Sequence, residues 1–461
     1  MEFRIEKDIL GEKKIPAEVY WGINTQRALE NFKISGKKFP EIFIQSLAEL
    51  KKACLQANKE LDLIDTELYS ALLRAVNEIL IEKMHLDQFP IDIFQSGSGT
   101  QTNMNMNEVL ANRANQILGH PMGKKYPVHP NDHVNKSQSS NDVIPSTMHI
   151  SLVHVINERL IPTLERLYEV LSKKISEFSD VVKVGRTHLQ DAVPIPLSLE
   201  FEVYRNQIQN GILSLGLNMK ELLSIPIGGT ALGTGLNSHK DFPSLTVDRL
   251  SKITKYQFTE NSLKAEGIAS HNSIVRTSGL LRSIALSILK IANDIRWMGS
   301  GPRAGLSELI IPHNEPGSSI MPGKINPTQS EMLIQVCLQI LGNDTIIVHG
   351  EAYGSVLDLN VCKPLIIVNL LESVEIFSNG IDSFVQNCLQ GMQVNRINIE
   401  NQLQRSLMIV TKLAPLIGYD KASQIAQKAY KENKSIKDVV LEENIEFDEE
   451  LDELLDPKKM V

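Results

Sequence analysis

Apolar residues stepping by three or four organise most of this chain. Met148, Leu152, Ile156, Leu160, Leu164, Leu167, Leu171, Ile175 and Phe178 fall on one stripe, the spacing of an amphipathic helix longer than about thirty residues. At about 1.5 Å per residue such a helix reaches roughly 50 Å, too long for the core of a small globule. Pro162 should bend it. Similar stripes recur over Phe201 to Leu223, at Leu281, Ile284, Ile288, Ile291, Ile295 and Met298, at Met332, Val336 and Ile340, and over Leu365 to Leu389. Long helices with near-heptad spacing predict a bundle whose packing continues into neighbouring chains, so an oligomer is expected. Ahead of the bundle, Leu47, Leu50, Cys54 and Leu55, then Leu72, Leu73, Val76, Ile79 and Leu80, fit two shorter helices. Residues 1 to about 45 are charged and turn-rich and read as an amino-terminal arm. The long stripes stop near Val394. The expected organisation is a mostly helical domain over 1–137, a bundle domain over 138–394 and a small helical domain over 395–461.

Polar stretches interrupt this pattern and carry the candidate chemistry. Asn314 to Met332 gathers Gly317, Ser318, Ser319, Gly323, Lys324, Ile325, Asn326 and Glu331. The glycines permit a mobile flap, and Asn326-Pro327, with Gln329 as the partner of a capping box, reads as a helix start. A helix N-terminus beside Lys324 suits a carboxylate or phosphate, although an ordinary solvated loop before a helix has the same composition. Gln95 to Glu108, which includes Ser98, Gly99 and Thr100, alternates amides with methionines. It reads as a half-buried polar network or as a surface turn with a helix cap. In His129 to Asp142, Pro130 argues against a helix that would put His129 and His133 on one face, so no metal is assigned. Ser139, Ser140 and Asn141 offer neutral donors just before the long helix. Val184 to Pro196 reads as a structured loop holding His188, either a satisfied polar group or a proton carrier near neutral pH. Pro226 to Asn237 resembles a phosphate loop but lacks the Gly-Lys-Ser/Thr ending and a preceding strand, so no nucleotide site is assigned.

Composition narrows the classes. The 461 residues suffice for about two to four domains, and 42% hydrophobic with only 5% aromatic content favours aliphatic packing between helices. A net charge of -8, part of it in Glu442 to Glu453, gives no nucleic-acid surface. Cys54, Cys337, Cys362 and Cys388 form no metal spacing and read as reduced thiols of a cytoplasmic protein. The amino terminus lacks a signal-peptide core, and no run of about twenty apolar residues is found, so no membrane span is expected.

Ser96 to Glu108, Val184 to Pro194 and Gly317 to Glu331 resemble the motif regions of the fumarase/aspartase superfamily, and in detail those of the class II fumarate hydratases. Glu6-Lys7-Asp8, Tyr20-Trp21-Gly22, Thr25-Gln26-Arg27, His129-Pro130-Asn131-Asp132 and the closing Asp456-Pro457 and Lys459-Met460-Val461 extend the likeness over nearly the whole chain. The flap motif is shared by several lyases. Aspartate ammonia-lyases typically have Gly-Arg-Thr-Gln where this chain has Gly185-Arg186-Thr187-His188, and their first motif also differs from Gly97 to Asn103. Both departures favour water over ammonia as the group added or removed. The competing class is a non-catalytic helical scaffold, which would not require the full set of chemical groups.

The resemblance implies a mainly α, three-domain fold with a central five-helix bundle, a homotetramer, and active sites each built from three chains. It implies reversible hydration of fumarate to malate. Ser318 would take the carbon-bound proton as an alkoxide, and His188, kept basic by Glu331, would assist departure of water. Ser98, Gly99, Thr100, Ser139, Ser140, Asn141, Thr187, Ser319, Lys324, Ile325 and Asn326 would hold the dicarboxylate. No metal or organic cofactor is needed, because only a proton and water move. The family also has a second, noncatalytic anion pocket, here His129, Pro130, Asn131 and Asp132. A basic residue often stands three positions before it, where this chain has Tyr126 preceded by Lys124 and Lys125.

Overall fold

The computed structural model describes residues 2–461, so Met1 of the amino-terminal arm lies outside them. The arm is more ordered than its composition implied. Strands β1 (Phe3–Asp8) and β2 (Gly11–Pro16) form an antiparallel hairpin. Arg4 holds it down by donating to Glu6 Oε1 at 2.9 Å and to the Val19 carbonyl at 2.7 Å.

Helices α1 (Ile23–Asn31), α2 (Glu41–Glu60), α3 (Thr66–Leu80) and α4 (Thr100–Ile117) follow. The apolar stripes of α2 and α3 are buried at Leu47, Leu50 and Cys54 and at Leu72, Val76 and Ile79. The long Met148–Phe178 stripe is not one regular helix. It comprises α5 (Ser140–Val155), a single π turn over Ile156–Leu160, and α6 (Ile161–Glu177). Pro162 accounts for the break: it supplies no N–H, and its ring crowds the carbonyl four residues back, at Glu158, so the preceding turn widens.

A hairpin of β3 (Val182–Thr187) and β4 (Gln190–Pro196) comes next, then α7 (Leu197–Leu222), α8 (Phe242–Thr254), α9 (Lys264–Ala269), α10 (Asn272–Met298), α11 (Thr328–Gly354) and α12 (Lys363–Phe384). The chain closes with α13 (Arg396–Arg405), α14 (Ala414–Ile417), α15 (Tyr419–Glu432), α16 (Ile436–Glu442) and shorter turns.

Two compact units emerge. The first comprises Met1–Ile161, Leu213–Ser283 and Gln339–Phe377. In it α2 packs against α3, α5 and α8, and α3 against α4, with Leu47, Leu50 and Cys54 fully buried. The second comprises Pro162–Ile212, Ile284–Leu338 and Ser378–Val461. There α13 packs on β3, and Ile409, Leu413, Ile425, Val439 and Val440 form a separate carboxy-terminal cluster. A buried ionic group ties the β3 strand to its surroundings. Lys183 Nζ lies 2.9 Å from Glu200 Oε1 and 3.1 Å from Glu308 Oε2, and Arg186 pairs with the other oxygen of Glu308, which is fully buried.

By length and mean hydropathy, α11 and the Lys363–Leu389 stretch that begins with α12 are long and apolar enough to cross a bilayer, a test that the core helix of a soluble protein also passes. Both carry scattered polar residues. Those residues are engaged within the protein: Asn343 donates to Ser373 Oγ at 3.0 Å, and Asp344 accepts from Ser278 at 2.6 Å and Arg282 at 2.7 Å.

Candidate active site

The first unit brings the starts of two helices together at a row of hydroxyls. Gly99 precedes α4 with φ +71°, a left-handed conformation that glycine adopts without strain. Ser98 Oγ then lies 2.7 Å from Thr100 Oγ1, which lies 2.9 Å from Ser140 Oγ at the start of α5. Ser139 caps α5 in a capping box: its hydroxyl accepts the Asn141 N–H at 3.2 Å, and Asp142 accepts the Ser139 N–H at 2.9 Å. The positive dipole ends of both helices therefore meet at the same row of hydroxyls, which suits an anion.

Neighbouring segments hold this arrangement. The Gly97 carbonyl accepts from the Lys363 N–H at 3.1 Å, and a Cβ on Gly97 would sit 1.5 Å from the Val361 carbonyl oxygen. Only glycine fits there. Asn141 Nδ2 donates to the Ala231 carbonyl at 2.9 Å, so the glycine-rich Pro226–Asn237 stretch lies beside the α5 start. Sequence reasoning set that stretch aside as a failed phosphate loop. The Ser139-x-x-Asp142 capping pattern was the available signal for the α5 start, but nothing local announces the loop as its partner.

The amide-rich run of α4 forms a half-buried network. Asn103 and Asn107 each donate to Asn135 Oδ1 at 3.1 Å, and buried Lys51 reaches Asn135 at 3.1 Å and Gln138 at 2.9 Å. Burial lowers the Lys51 pKa to about 8. His129 caps a single π turn over Pro130–Val134, which contains Pro130, Asn131 and Asp132. The ring nitrogens act within that turn: His129 Nδ1 accepts from the Asn131 and Asp132 N–H groups, both at 3.2 Å, and His133 Nδ1 accepts from the His129 N–H at 2.8 Å.

The second unit carries the remaining candidates. Thr187 and His188 are exposed at the tip of the β3–β4 hairpin. His188 (φ +56°) and Leu189 (φ +60°) are the central residues of its two-residue turn, both in the left-handed region that primed hairpin turns require. His188 thus sits in the turn of a strand hairpin, where Gly185 and the prolines led to the expectation of a structured loop without strands.

On the flap, Ser318 Oγ accepts N–H groups from Ile320 at 3.2 Å and Met321 at 3.0 Å. Lys324 Nζ lies 2.7 Å from Asn326 Oδ1, while Asn326 Nδ2 donates to the Gly317 carbonyl at 2.6 Å. The Gly317 N–H bonds the Lys324 carbonyl at 2.8 Å, closing the segment on itself around a cavity of about 410 Å³. Here the helix-start expectation is corrected. α11 begins at Thr328, Asn326 spends its amide across the flap, and Gln329 accepts from Ser383 at 2.8 Å in place of completing a capping box. Ser319, Ile325 and Glu331 stand on the same stretch, Glu331 exposed in the first turn of α11. Among the described residues, no hydrogen bond within the chain joins His188 to Ser318 or Glu331. None of these residues forms a metal-holding group, and no group of three or more His, Cys, Asp or Glu side chains that could hold a metal ion occurs among the described residues.

Comparison with known proteins places this geometry. Residues 11–342 match the family model described as Lyase, and residues 409–461 match that of the Fumarase C C-terminus. A class II fumarate hydratase of Nitrosomonas europaea is 47% identical over 459 residues, covering 100% of this chain and 99% of the relative. A mitochondrial fumarate hydratase of Rhizopus oryzae is 45% identical, covering 100% and 93%. The crystal structure of the class II fumarase from Schistosoma mansoni superposes with a TM-score of 0.96 at 38% identity, covering 100% of this chain and 99% of that one. The chain is therefore a helical lyase of the fumarase/aspartase superfamily. Within that superfamily it belongs to the class II fumarate hydratases.

Proposed function

We infer that the chain is a hydro-lyase that interconverts fumarate and (S)-malate. Full-length kinship to class II fumarate hydratases supports the reaction, and the flap supports the chemistry. Removing a proton beside a carboxylate puts more charge on an existing anion, so the site needs positive potential and a strong base that exists only once water is excluded. Ser318 is that base. The carrying observation is its oxygen, which accepts two backbone N–H groups, the environment that stabilises an alkoxide.

Lys324 and Asn326, already paired, supply charge and an amide to one carboxylate. Ser98, Thr100, Ser139, Ser140 and Asn141 receive the other at the converging helix starts, with Gly99 allowing the turn and Thr187, Ser319 and Ile325 completing the contacts. His188 passes a proton to the departing hydroxide, and Glu331 holds the imidazolium. Each site draws on three chains of a homotetramer in this reading, as kinship to the family implies. The exposed apolar residues Leu213, Leu217, Leu286, Leu338 and Ile346 on the long helices support such an assembly. The three-part division at 1–137, 138–394 and 395–461 is the organisation proposed for that assembly, supported by the separate carboxy-terminal cluster. The proposed setting is the cytoplasm and the tricarboxylic acid cycle. His129 to Asp132 remain the proposed second anion pocket, with Tyr126 in place of a basic side chain.

Short-wavelength ultraviolet absorbance with purified protein tests the reaction. Fumarate should appear from malate and not from aspartate; appearance from aspartate, or from neither, overturns it. Light scattering on a sizing column should give a tetramer, and a monomer would remove the shared-site mechanism.

A further inference from the structure

Asp142 lies where two segments of the first unit meet, and the mechanism above gives it no task. It is fully buried. One carboxylate oxygen accepts the Ser139 N–H at 2.9 Å, and the other accepts the N–H groups of Gly228 at 3.0 Å and Thr230 at 2.9 Å. Asn141 adds a tie to the same loop through the Ala231 carbonyl at 2.9 Å. The loop is held in an uncommon shape, with φ +82° at Gly228 and φ +56° at Thr230. A threonine in the left-handed region persists only where its surroundings impose it. Thr230 is also buried with its hydroxyl unpartnered among the described residues. The carboxylate, not the threonine side chain, fixes this turn.

We propose that Asp142 is the positioning residue of the substrate carboxylate pocket, setting with one side chain both the α5 start that presents Ser139, Ser140 and Asn141 and the Gly228–Ala231 loop that orients Asn141. This rests on the role given above to Ser139, Ser140 and Asn141. The ionisable groups facing Asp142 are Lys51 and Cys54, both on α2. Burial raises the Asp142 pKa to about 7, against the opposing pull of its backbone donors and of Lys51. A protonated carboxyl carries a hydrogen on one oxygen and cannot serve all three N–H groups as well as the anion does.

The test is D142N in the full assembly, beside wild type. The malate KM should rise about tenfold or more with kcat within about threefold, since substrate is held less well while the reacting groups are untouched. The wild-type KM should weaken from about pH 8 to about pH 6 and that of D142N should not, because asparagine mimics the protonated carboxyl throughout. A merely structural role predicts a lower melting temperature with KM and its pH profile retained; that result, or an unchanged KM, overturns the proposal. If D142N fails to assemble, calorimetry on wild type decides: succinate, an unreactive dicarboxylate of the same length, should bind more weakly as pH falls through about 7. A flat profile overturns the proposal. Wild type inert toward malate would instead remove the hydratase reading, an outcome distinct from active wild type with an unaltered D142N KM.

Discussion

Thr100 Oγ1 and Ser140 Oγ lie 2.9 Å apart, joining the first turns of α4 and α5 through a pair of hydroxyls. An anion placed there meets donors from both helices at once. Thr100→Val keeps the shape and removes the hydroxyl. A hydrogen bond to a charged group is worth about 1.5–3 kcal/mol, so the malate KM should rise by about tenfold or more. Steady-state kinetics checks this, and an unchanged KM would take Thr100 out of the binding set.

The flap and the hairpin make a second prediction. Ser318→Ala removes the oxygen that receives the Ile320 and Met321 N–H groups, and His188→Asn removes the titrating ring at the exposed turn. Each should lower kcat by at least about 100-fold with the circular dichroism spectrum and melting temperature unchanged. Near-normal turnover in Ser318→Ala would exclude it as the base.

Gly97 tests the support beneath the hydroxyl row. A Cβ there would lie 1.5 Å from the Val361 carbonyl oxygen, which is backbone and cannot rotate away. Gly97→Ala should therefore cost about 3 kcal/mol or more and displace Ser98 and Thr100 with it. Thermal unfolding measures the loss; a variant melting within about 1 °C of wild type would show that the two segments separate easily.

These sites were unequally visible in the sequence, for reasons that differ residue by residue. The long helices were legible because a period of 3.6 is written in Leu, Ile and Met over many turns, and Pro162 marked the break that became the Ile156–Leu160 π turn. The β3–β4 hairpin was not, because prolines and Gly185 mask strand alternation over so short a span. Asn326 fits a helix cap by type, yet its amide serves the Gly317 carbonyl instead, a choice that only the folded flap decides. Asp142 and the Gly228–Thr230 turn stand 86 and 88 residues apart in sequence, so no local pattern could pair them. Residue types were legible one at a time, but their hydrogen-bond partners, set by the fold, were not.

His154 carries the prediction about pH. Its Nε2 lies 2.9 Å from Glu49 Oε2 and its Nδ1 2.8 Å from Glu158 Oε1, with the Tyr256 ring edge-on at 5.4 Å. Burial disfavours the imidazolium, but the two carboxylates, Glu49 foremost, outweigh it and raise the pKa from 6.5 to about 9. The folded state therefore holds this proton more tightly than the unfolded chain does. The resulting stability is fully present below about pH 6.5 and is lost as pH rises through about 9. The shift corresponds to about 3 kcal/mol at most. Other buried groups titrate in the same window, Lys51 near 8 and Lys363 near 7, both lowered by burial and therefore of opposite sign. A difference measurement isolates His154. The apparent melting temperature of wild type should fall between about pH 6.5 and about pH 9.5 by more than that of His154→Gln, which keeps hydrogen-bonding capacity and loses the titrating charge. Parallel curves for the two proteins would mean that the carboxylates flanking His154 leave its proton no better held in the fold than in the open chain.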